Sequence, residues 1–314
     1  MGQSILITGG GGFLGAHLAR ALALKGERVV IYDNFSAGLP TNLRDVSDRL
    51  EIINGDILDL SYLLQTMLKT GVNRVIHTAA MVGYAICAEK PALAAKVNIE
   101  GTINLLDASR IVGVKRYLDV SSEETYGTFQ YEPIDEDHPP SPTQPYAITK
   151  MAAERYEDFY RRNFGLDVVI IRTSWVYGPG LPRSRPPKNF IENSLKGMPT
   201  RMDSGGDHRV DHTYIDDFLQ GALLAFVAEN PQSRVFNIAS GQAHTFREMA
   251  QMVAQIIPGA EITVGAGLMK YSSEIQAPQK GALNIDRAQN ELGYRPRYTL
   301  FEGLTKYTEF LKKG

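Results

Sequence analysis

The stretch Ser4-Ile5-Leu6-Ile7-Thr8-Gly9-Gly10-Gly11-Gly12-Phe13-Leu14-Gly15 decides how this chain is read. A short apolar run of strand type passes straight into glycines, and a helical pattern then runs from Phe13 to Lys25. Glycines let the backbone turn tightly and come close to a pyrophosphate, while the start of a helix offers free N–H groups and the positive end of its dipole. Gly9, Gly12 and Gly15 follow T-G-x-x-G-x-x-G, which differs from the G-x-G-x-x-G dinucleotide fingerprint by one residue in the first interval.

Outward from this turn, strand-like runs recur at Arg28 to Tyr32, Leu50 to Asn54, Arg74 to Thr78, Arg116 to Ser121 and Asp167 to Arg172. Helical patterns separate them at Ser61 to Lys69, Pro91 to Val112 and Pro145 to Phe164. Strand-helix alternation of this kind predicts right-handed crossovers and a doubly wound α/β fold with a parallel sheet. After Arg172 the rhythm breaks. Helices near Pro187 to Lys196, Tyr214 to Ala228, Thr245 to Ile257, Asp286 to Leu292 and Leu300 to Lys312, with a strand at Arg234 to Ile238, predict a smaller interleaved C-terminal α/β cap. The expected division is a dinucleotide-binding domain over 1–175, with return elements near 213–240, and a substrate cap over 176–212 and 241–314. Pro179 to Pro187, rich in Pro, Gly and Arg, is the nearest thing to a linker.

With 314 residues and 43% hydrophobic content the chain can bury a substantial core. Its 33 basic and 35 acidic residues leave a net charge of −2, against a nucleic-acid footprint or a basic membrane-binding surface. The N-terminus lacks a signal-peptide pattern, and Phe218 to Ala228 is too short an apolar run to span a bilayer. One cysteine, Cys87, excludes an internal disulfide framework and a Cys-based zinc site, so a cytoplasmic home is expected. His208 and His212 are four apart, but no carboxylate–histidine set on one helix completes a metal site, and none is expected.

Asp33 ends the second strand, where a carboxylate can accept hydrogen bonds from an adenosine ribose 2′-hydroxyl and would repel a 2′-phosphate. That favours NAD over NADP. Asp56, in Asn54-Gly55-Asp56-Ile57, is a candidate adenine contact or simply a turn former. Tyr146 and Lys150 stand four apart after Pro145, on one helix face, so the ammonium lies near the phenol. A free tyrosine, with a pKa near ~10, is a poor base at neutral pH, but an adjacent cation lowers it and makes proton exchange with a carbinol feasible.

Together these residues resemble the extended short-chain dehydrogenase/reductase family, which contains NAD-dependent sugar epimerases, dehydratases and decarboxylases with a Rossmann-type sheet. The resemblance also rests on His77-Thr78-Ala79-Ala80, Asn98 with Gly101-Thr102-Ile103-Asn104-Leu105-Leu106, Ser121-Ser122, Tyr177-Gly178-Pro179-Gly180 and Leu292-Gly293-Tyr294. It implies a catalytic set in which Ser122 holds the substrate hydroxyl, Tyr146 exchanges its proton, and Lys150 binds the nicotinamide ribose and tunes Tyr146. It implies cofactor contacts from Gly9, Gly12, Phe13, Leu14, Asp33, Asn34, Ser36, Asp56, Ile57, Ala79, Asn98, Tyr146 and Lys150. Substrate contacts are expected from Met81, Val82, Ser122, Glu124, Trp175 and Arg209. A homodimer built on Pro91 to Val112 and Pro145 to Phe164 is implied as well.

Two features bear on the reaction. Ser122-Glu123-Glu124-Thr125-Tyr126-Gly127 looks closer to the T-D-E-x-Y-G of nucleotide-sugar 4,6-dehydratases, or to decarboxylases with a Glu at the Glu124 position, than to the small residues usual in 4-epimerases. Glu124 can then abstract a proton α to a carbonyl; the plainer alternative has Glu123 facing solvent and Glu124 binding a hydroxyl or a backbone N–H. Gly205-Gly206-Asp207-His208-Arg209 is similar to the family's G-D-G-x-x-x-R segment, which points Arg209 at a substrate anion. Against a nucleotide diphosphate, Trp175 replaces an asparagine of the family pattern, and Ser273 to Lys280 lacks the expected arginine. The leading expectation is an NAD-dependent epimerase acting on a sugar or sugar-like, anionic small molecule. Elimination or decarboxylation through Glu124, and simple dehydrogenation of a smaller polyhydroxy acid, remain as alternatives.

Overall fold

The computed structural model describes residues 4–272 and 275–313. Ser273 and Glu274, within the segment that lacks the expected arginine, lie outside the described residues. Strands β1 (Ser4–Thr8), β2 (Val29–Asp33), β3 (Leu50–Asn54), β4 (Val72–His77), β5 (Arg116–Ser122) and β6 (Val168–Thr173) occupy the predicted places to within two residues at each end. Beyond them come β7 (Trp175–Tyr177), β8 (Thr200–Met202), β9 (Arg209–Tyr214) and β10 (Val235–Ile238).

Seven strands form one sheet in the order β10-β6-β5-β4-β1-β2-β3. Strand β1 pairs in parallel with both β2 and β4, β2 with β3, and β4 with β5. Ile5, Leu6, Ile7, Val30 and Ile31 are wholly buried, as strands covered on both faces require, which is why they read as continuous apolar runs. Chain order reverses on either side of β1, so the carboxyl ends of β1 and β4 form the switch point where α/β sheets bind ligands.

The helices at Phe13–Leu24 and Pro145–Phe164 match expectation. The second starts with Pro at its first position and stops at Gly165, whose left-handed φ of 69° caps it, so both ends are written in residue type. The single helix expected over Pro91 to Val112 is interrupted. It runs as Pro91–Ala95, a π turn at Lys96–Glu100 and Gly101–Val112. The wide turn places Asn98 inside the fold, 2% exposed, and Gly101 follows because a Cβ there would lie 2.5 Å from Ile57 Cδ1. Also unforeseen are a 3₁₀ segment at Pro40–Arg49, a helix at Tyr84–Glu89 and several strands of three residues, too short to show a period.

By internal contacts the first unit comprises 1–125, 140–172 and 222–236, and the second 126–139, 173–221 and 237–314. Residues 126–139, expected in the first domain, group with the second, and the return to the first is confined to 222–236. The second unit carries a three-stranded sheet in which β9 pairs in parallel with β7 and antiparallel with Ala243–Thr245, plus a two-stranded parallel pair of β8 with Ile262–Val264.

In the first unit, Arg116 of β5 ties the return segment down. Its guanidinium donates to the carbonyls of Ala225 and Phe226 at 3.1 Å and Ala228 at 2.7 Å, and its Nε donates to Asp167 at 2.9 Å. These carbonyls end the helix Ile215–Val227, whose last turn holds no basic residue of its own, so the cation meets its orphaned acceptors. Arg116→Leu should therefore lower the unfolding free energy by about 2 to 4 kcal/mol, read as a lower urea midpoint at unchanged slope. A midpoint within error of the parent would refute the tie.

Candidate active site

The Gly-rich turn is shaped by close backbone approaches. Gly9, at a φ of +68°, would place a Cβ 2.6 Å from the Ala79 nitrogen, and a Cβ on Gly15 would lie 2.3 Å from the Gly9 carbonyl oxygen. Only glycine lets the loop after β4 and the start of the helix meet the turn this tightly. The helix Phe13–Leu24 begins at Gly12 with no side-chain cap, and its first main-chain bond, Ala16 N–H to Gly12 C=O, is 2.9 Å. The N–H groups of Phe13 and Leu14 therefore have no acceptor within the helix. A Cβ on Gly12 would lie 3.1 Å from the Gly9 carbonyl oxygen, a tight contact that favours glycine here as well. This arrangement fits a pyrophosphate.

Asp33, 8% exposed, buckles this turn to the end of β2. Its Oδ2 accepts from Gly11 N–H at 2.8 Å and its Oδ1 from Phe35 N–H at 2.7 Å. Each oxygen keeps a further lone pair with which to accept from a ribose hydroxyl. Asn34 donates to Asp56 at 3.0 Å and accepts from the Ser36 hydroxyl at 2.7 Å, and Asp56 also accepts from Leu58 N–H at 2.9 Å. The expected adenosine contacts thus form one hydrogen-bonded rim. Ile57 is different: its side chain packs in the core with Leu63 and Leu105.

Asn98 has its amide fully engaged within the protein. Its Oδ1 accepts from Met81 N–H at 2.7 Å, while its Nδ2 donates to Met81 C=O at 3.0 Å and to the Thr149 hydroxyl at 2.9 Å. It sets the course of the half-buried Met81-Val82 segment, and Cys87 Sγ approaches the same Met81 carbonyl at 3.3 Å.

Ser122 closes β5 and leads into a 3₁₀ turn at Glu123–Tyr126, where its Oγ accepts from Glu124 N–H at 3.2 Å. Glu123 does not face solvent. It is wholly buried, whereas Glu124 is partly exposed. The turn packs its first carboxylate inward and leaves the second half-buried after Ser122, with its Oε2 shielded from solvent.

Tyr146 and Lys150 lie one helical turn apart, and the phenol raises the ammonium's affinity for its proton. Lys150 itself is 3% exposed, and Asp119 of β5 holds it in both carboxylate oxygens, at 3.0 and 3.1 Å. Burial works against the charged ammonium, but the Asp119 carboxylate in contact with it outweighs that cost, so Lys150 sits above the ordinary lysine range. Behind it Glu154 is saturated by Arg172, at 2.6 Å, and by the Ser121 hydroxyl at 2.5 Å. Asp119, Glu154, Glu157 and Arg172 were not singled out from sequence for the site, because charged residues in a strand or on a helix read as surface residues. The available signal was a carboxylate at Asp119 set between Tyr117-Leu118 and Val120 in β5.

The second unit holds Trp175 and Arg209. The Arg185 guanidinium lies 4.4 Å over the half-buried Trp175 ring, whose other neighbours are His212 and Phe246. Arg209 is exposed and paired with Glu132 at 2.6 Å, which offsets its charge. It lines a cavity of about 290 Å³ together with Phe129, Tyr131 and Lys280. Lys280, 5.3 Å over the Phe129 ring, brings a second cation to this cavity, from the segment lacking the expected arginine. His77 is held between the hydroxyls of Thr8 at 2.7 Å and Thr102 at 3.0 Å, and burial with the nearby Lys150 charge lowers it to about 3. Burial and the Arg185 charge likewise lower His212 to about 3. Both are neutral packing residues, and no group of three potential metal ligands occurs among the described residues. No helix among them is long and apolar enough to cross a membrane.

Residues 5–239 match the family described as the NAD dependent epimerase/dehydratase family. The UDP-glucose 4-epimerase of Mycolicibacterium smegmatis is 30% identical, over 98% of each chain. The crystal structure of the Thermotoga maritima UDP-glucose 4-epimerase with UDP-glucose superposes with a TM-score of 0.89 at 29% identity, covering 99% of both chains. The Streptomyces venezuelae dTDP-glucose 4,6-dehydratase DesIV, solved with NAD, gives 0.88 at 27% identity, over 99% of this chain and 97% of that one. With an uncapped glycine turn, an acidic rim beside it and a Tyr-Lys helix on the same sheet, the chain belongs to the NAD-dependent epimerase/dehydratase family and is an enzyme of the extended short-chain dehydrogenase/reductase type.

Proposed function

We propose that this enzyme epimerises a carbinol of a nucleotide sugar. The observation that carries the reading is the helix that sets Tyr146 against the charged Lys150 in the unit that also holds the glycine turn. NAD, held by the glycine turn and Asp33, would supply the hydride acceptor and donor that inverting a carbinol carbon requires. The protein does the rest. Ser122 Oγ orients the substrate hydroxyl, and Tyr146 Oη removes that hydroxyl's proton and later gives it back. Lys150 supplies the positive charge that favours the phenolate, and its remaining N–H reaches the nicotinamide ribose. The similar 4-epimerases support a UDP-sugar, with Arg209 and Lys280 as the cations available to an anionic group. The lone, buried Cys87 suits a reducing compartment such as the cytoplasm.

The test is a panel of UDP-sugars, sugar acids and free sugars, with products separated by chromatography and identified by mass and NMR. Tyr146→Phe should lower turnover of the true substrate by about 10²- to 10⁴-fold while leaving NAD affinity nearly unchanged, since only the proton-carrying oxygen is lost. Lys150→Ala should damage both. Near-parental turnover in Tyr146→Phe would end this assignment.

A second reading follows from the two carboxylates after Ser122, one wholly buried, and from the similarity to a 4,6-dehydratase. If Glu124 removes a proton next to the transient carbonyl, the product lacks water, and solvent deuterium enters carbon during turnover. Under epimerisation the product keeps its mass, and Glu124→Gln only weakens substrate binding, by about 1 to 3 kcal/mol if the lost bond is to a charged group. Mass spectrometry of the parent and Glu124→Gln products in D₂O distinguishes the two. Deuterium uptake that Glu124→Gln abolishes would replace epimerisation with elimination.

We also propose a homodimer. The long helix Pro145–Phe164 exposes Ile148, Tyr156 and Phe159 along one flank, and Leu93 and Ile111 are exposed on the segment over 91–112. Apolar side chains recurring at this spacing suit packing against a second copy. Sedimentation should give twice the 34.7 kDa chain mass, and Phe159→Glu should shift it toward the single chain. A monomer in the parent protein would dispose of this expectation.

A further inference from the structure

We propose that Asp119 is the positioning residue of Lys150, its carboxylate gripping the ammonium by two of three N–H groups so that one donor is already set before any cofactor arrives. This rests on the function proposed above, in which Lys150 serves Tyr146 and the nicotinamide ribose. The argument starts from burial. Asp119 is wholly buried and Lys150 is 3% exposed, so the pair gains nothing from solvent screening, and two removed hydration shells must be replaced by good geometry. That geometry is present in the 3.0 and 3.1 Å contacts.

A purely structural tie between β5 and the helix Pro145–Phe164 is already supplied next door. Ser121 on β5 donates to Glu154 on that helix, and Arg172 of β6 closes the same carboxylate. A second buried ion pair at the same junction adds little that an apolar pair would not. What it adds is a fixed cation beside Tyr146. The groups facing Lys150 are Asp119 on β5, Tyr146, Glu154 and Glu157 on its own helix, Arg172 on β6 and His77 on β4, with Tyr117 a further titratable neighbour. Burial, then the Asp119 charge, hold the wholly buried Glu157 carboxyl well above the usual carboxylate range, which favours its neutral form. Burial raises Asp119 too, but the Lys150 ammonium in contact pulls it back, and Asp119 and Glu154 are the carboxylates in contact with Lys150 and Arg172. Without Asp119 the ammonium would face desolvation with no ionised partner in contact.

The experiment uses the full chain with ¹⁵N-labelled lysine and reads the Lys150 ammonium directly, its signal identified by its loss in Lys150→Met. In the cofactor-free parent the Lys150 N–H signal should be protected from exchange at neutral pH and should not titrate up to the alkaline limit of folding. Asp119→Asn is made in a Glu157→Gln background so that Glu157 cannot ionise in its place. There the ammonium should titrate at least ~1 pH unit lower than in the Glu157→Gln control, and NAD affinity, flat with pH in the control, should fall on the alkaline side. A merely structural role would lower stability in Asp119→Asn and could move the Lys150 titration, but would leave NAD affinity as flat with pH as in the control. An unprotected, freely exchanging Lys150 in the cofactor-free parent would overturn the proposal even if the variants failed to fold. Unchanged Lys150 titration in a folded Asp119→Asn would overturn it too. A shifted titration with pH-dependent NAD affinity, alongside a substrate panel with no Tyr146-dependent turnover, would support the Asp119 assignment and remove the proposed function instead.

Discussion

The constraint on which the nucleotide-binding half depends is the fork between β1 and β4, where the two chains leaving the sheet nearly touch. A methyl group at Gly9 would collide with the Ala79 backbone, and one at Gly15 with the Gly9 carbonyl. Packed interiors absorb such overlaps by shifting whole elements. A shift there would move the helix start away from the end of β1. The Asp33 grip on Gly11 N–H, the Asn98 hold on Met81 and the uncapped helix start at Phe13 and Leu14 all lie around that narrow approach.

A second theme is charge placed where charge is expensive. Lys150, Asp119, Glu154, Glu157 and Arg172 are all buried at one junction of β5, β6 and the helix Pro145–Phe164. Breaking one member of such a set leaves another uncompensated in a medium that solvates it poorly. The cluster therefore acts as a single electrostatic unit, and its polarity points through Lys150 toward Tyr146. The acids of the second unit do different work. Asp211 accepts from Ser240, Gly241 and Leu283 and is raised to about 6 by burial, a folding role within that unit.

How much could be read without coordinates follows from which physical signals are local. The first six strands and the helix Pro145–Phe164 were legible because burial on two faces produces apolar runs, and Pro145 and Gly165 mark helix ends. The glycine turn and Asp33 were legible because close approach and strand ends demand particular residue types at fixed spacing. The π turn at Lys96–Glu100 was not, since one extra residue in a turn leaves the flanking helical pattern intact. Short strands such as Thr200–Met202 owe their pairing to distant partners and carry no period. Arg209 was legible as a cation suited to a substrate anion but not as the partner of Glu132, a residue 77 positions away in sequence. Asp119 was visible only as an anomaly, because its partner lies across a strand–helix junction that no sequence window contains.

Cys87 gives the molecule a built-in clock. It is the single thiol of the chain, it is wholly buried in the helix Tyr84–Glu89, and its sulfur rests on the Met81 carbonyl that Asn98 also holds. A thiol reagent can reach it only when that helix lifts or the Met81 segment lets go. With reagent dilute enough for reclosing to outpace reaction, the labelling rate measures the population of the open form. The expected substrate-contact segment over 81–82 therefore has its local stability written into the reactivity of one atom, without any added probe.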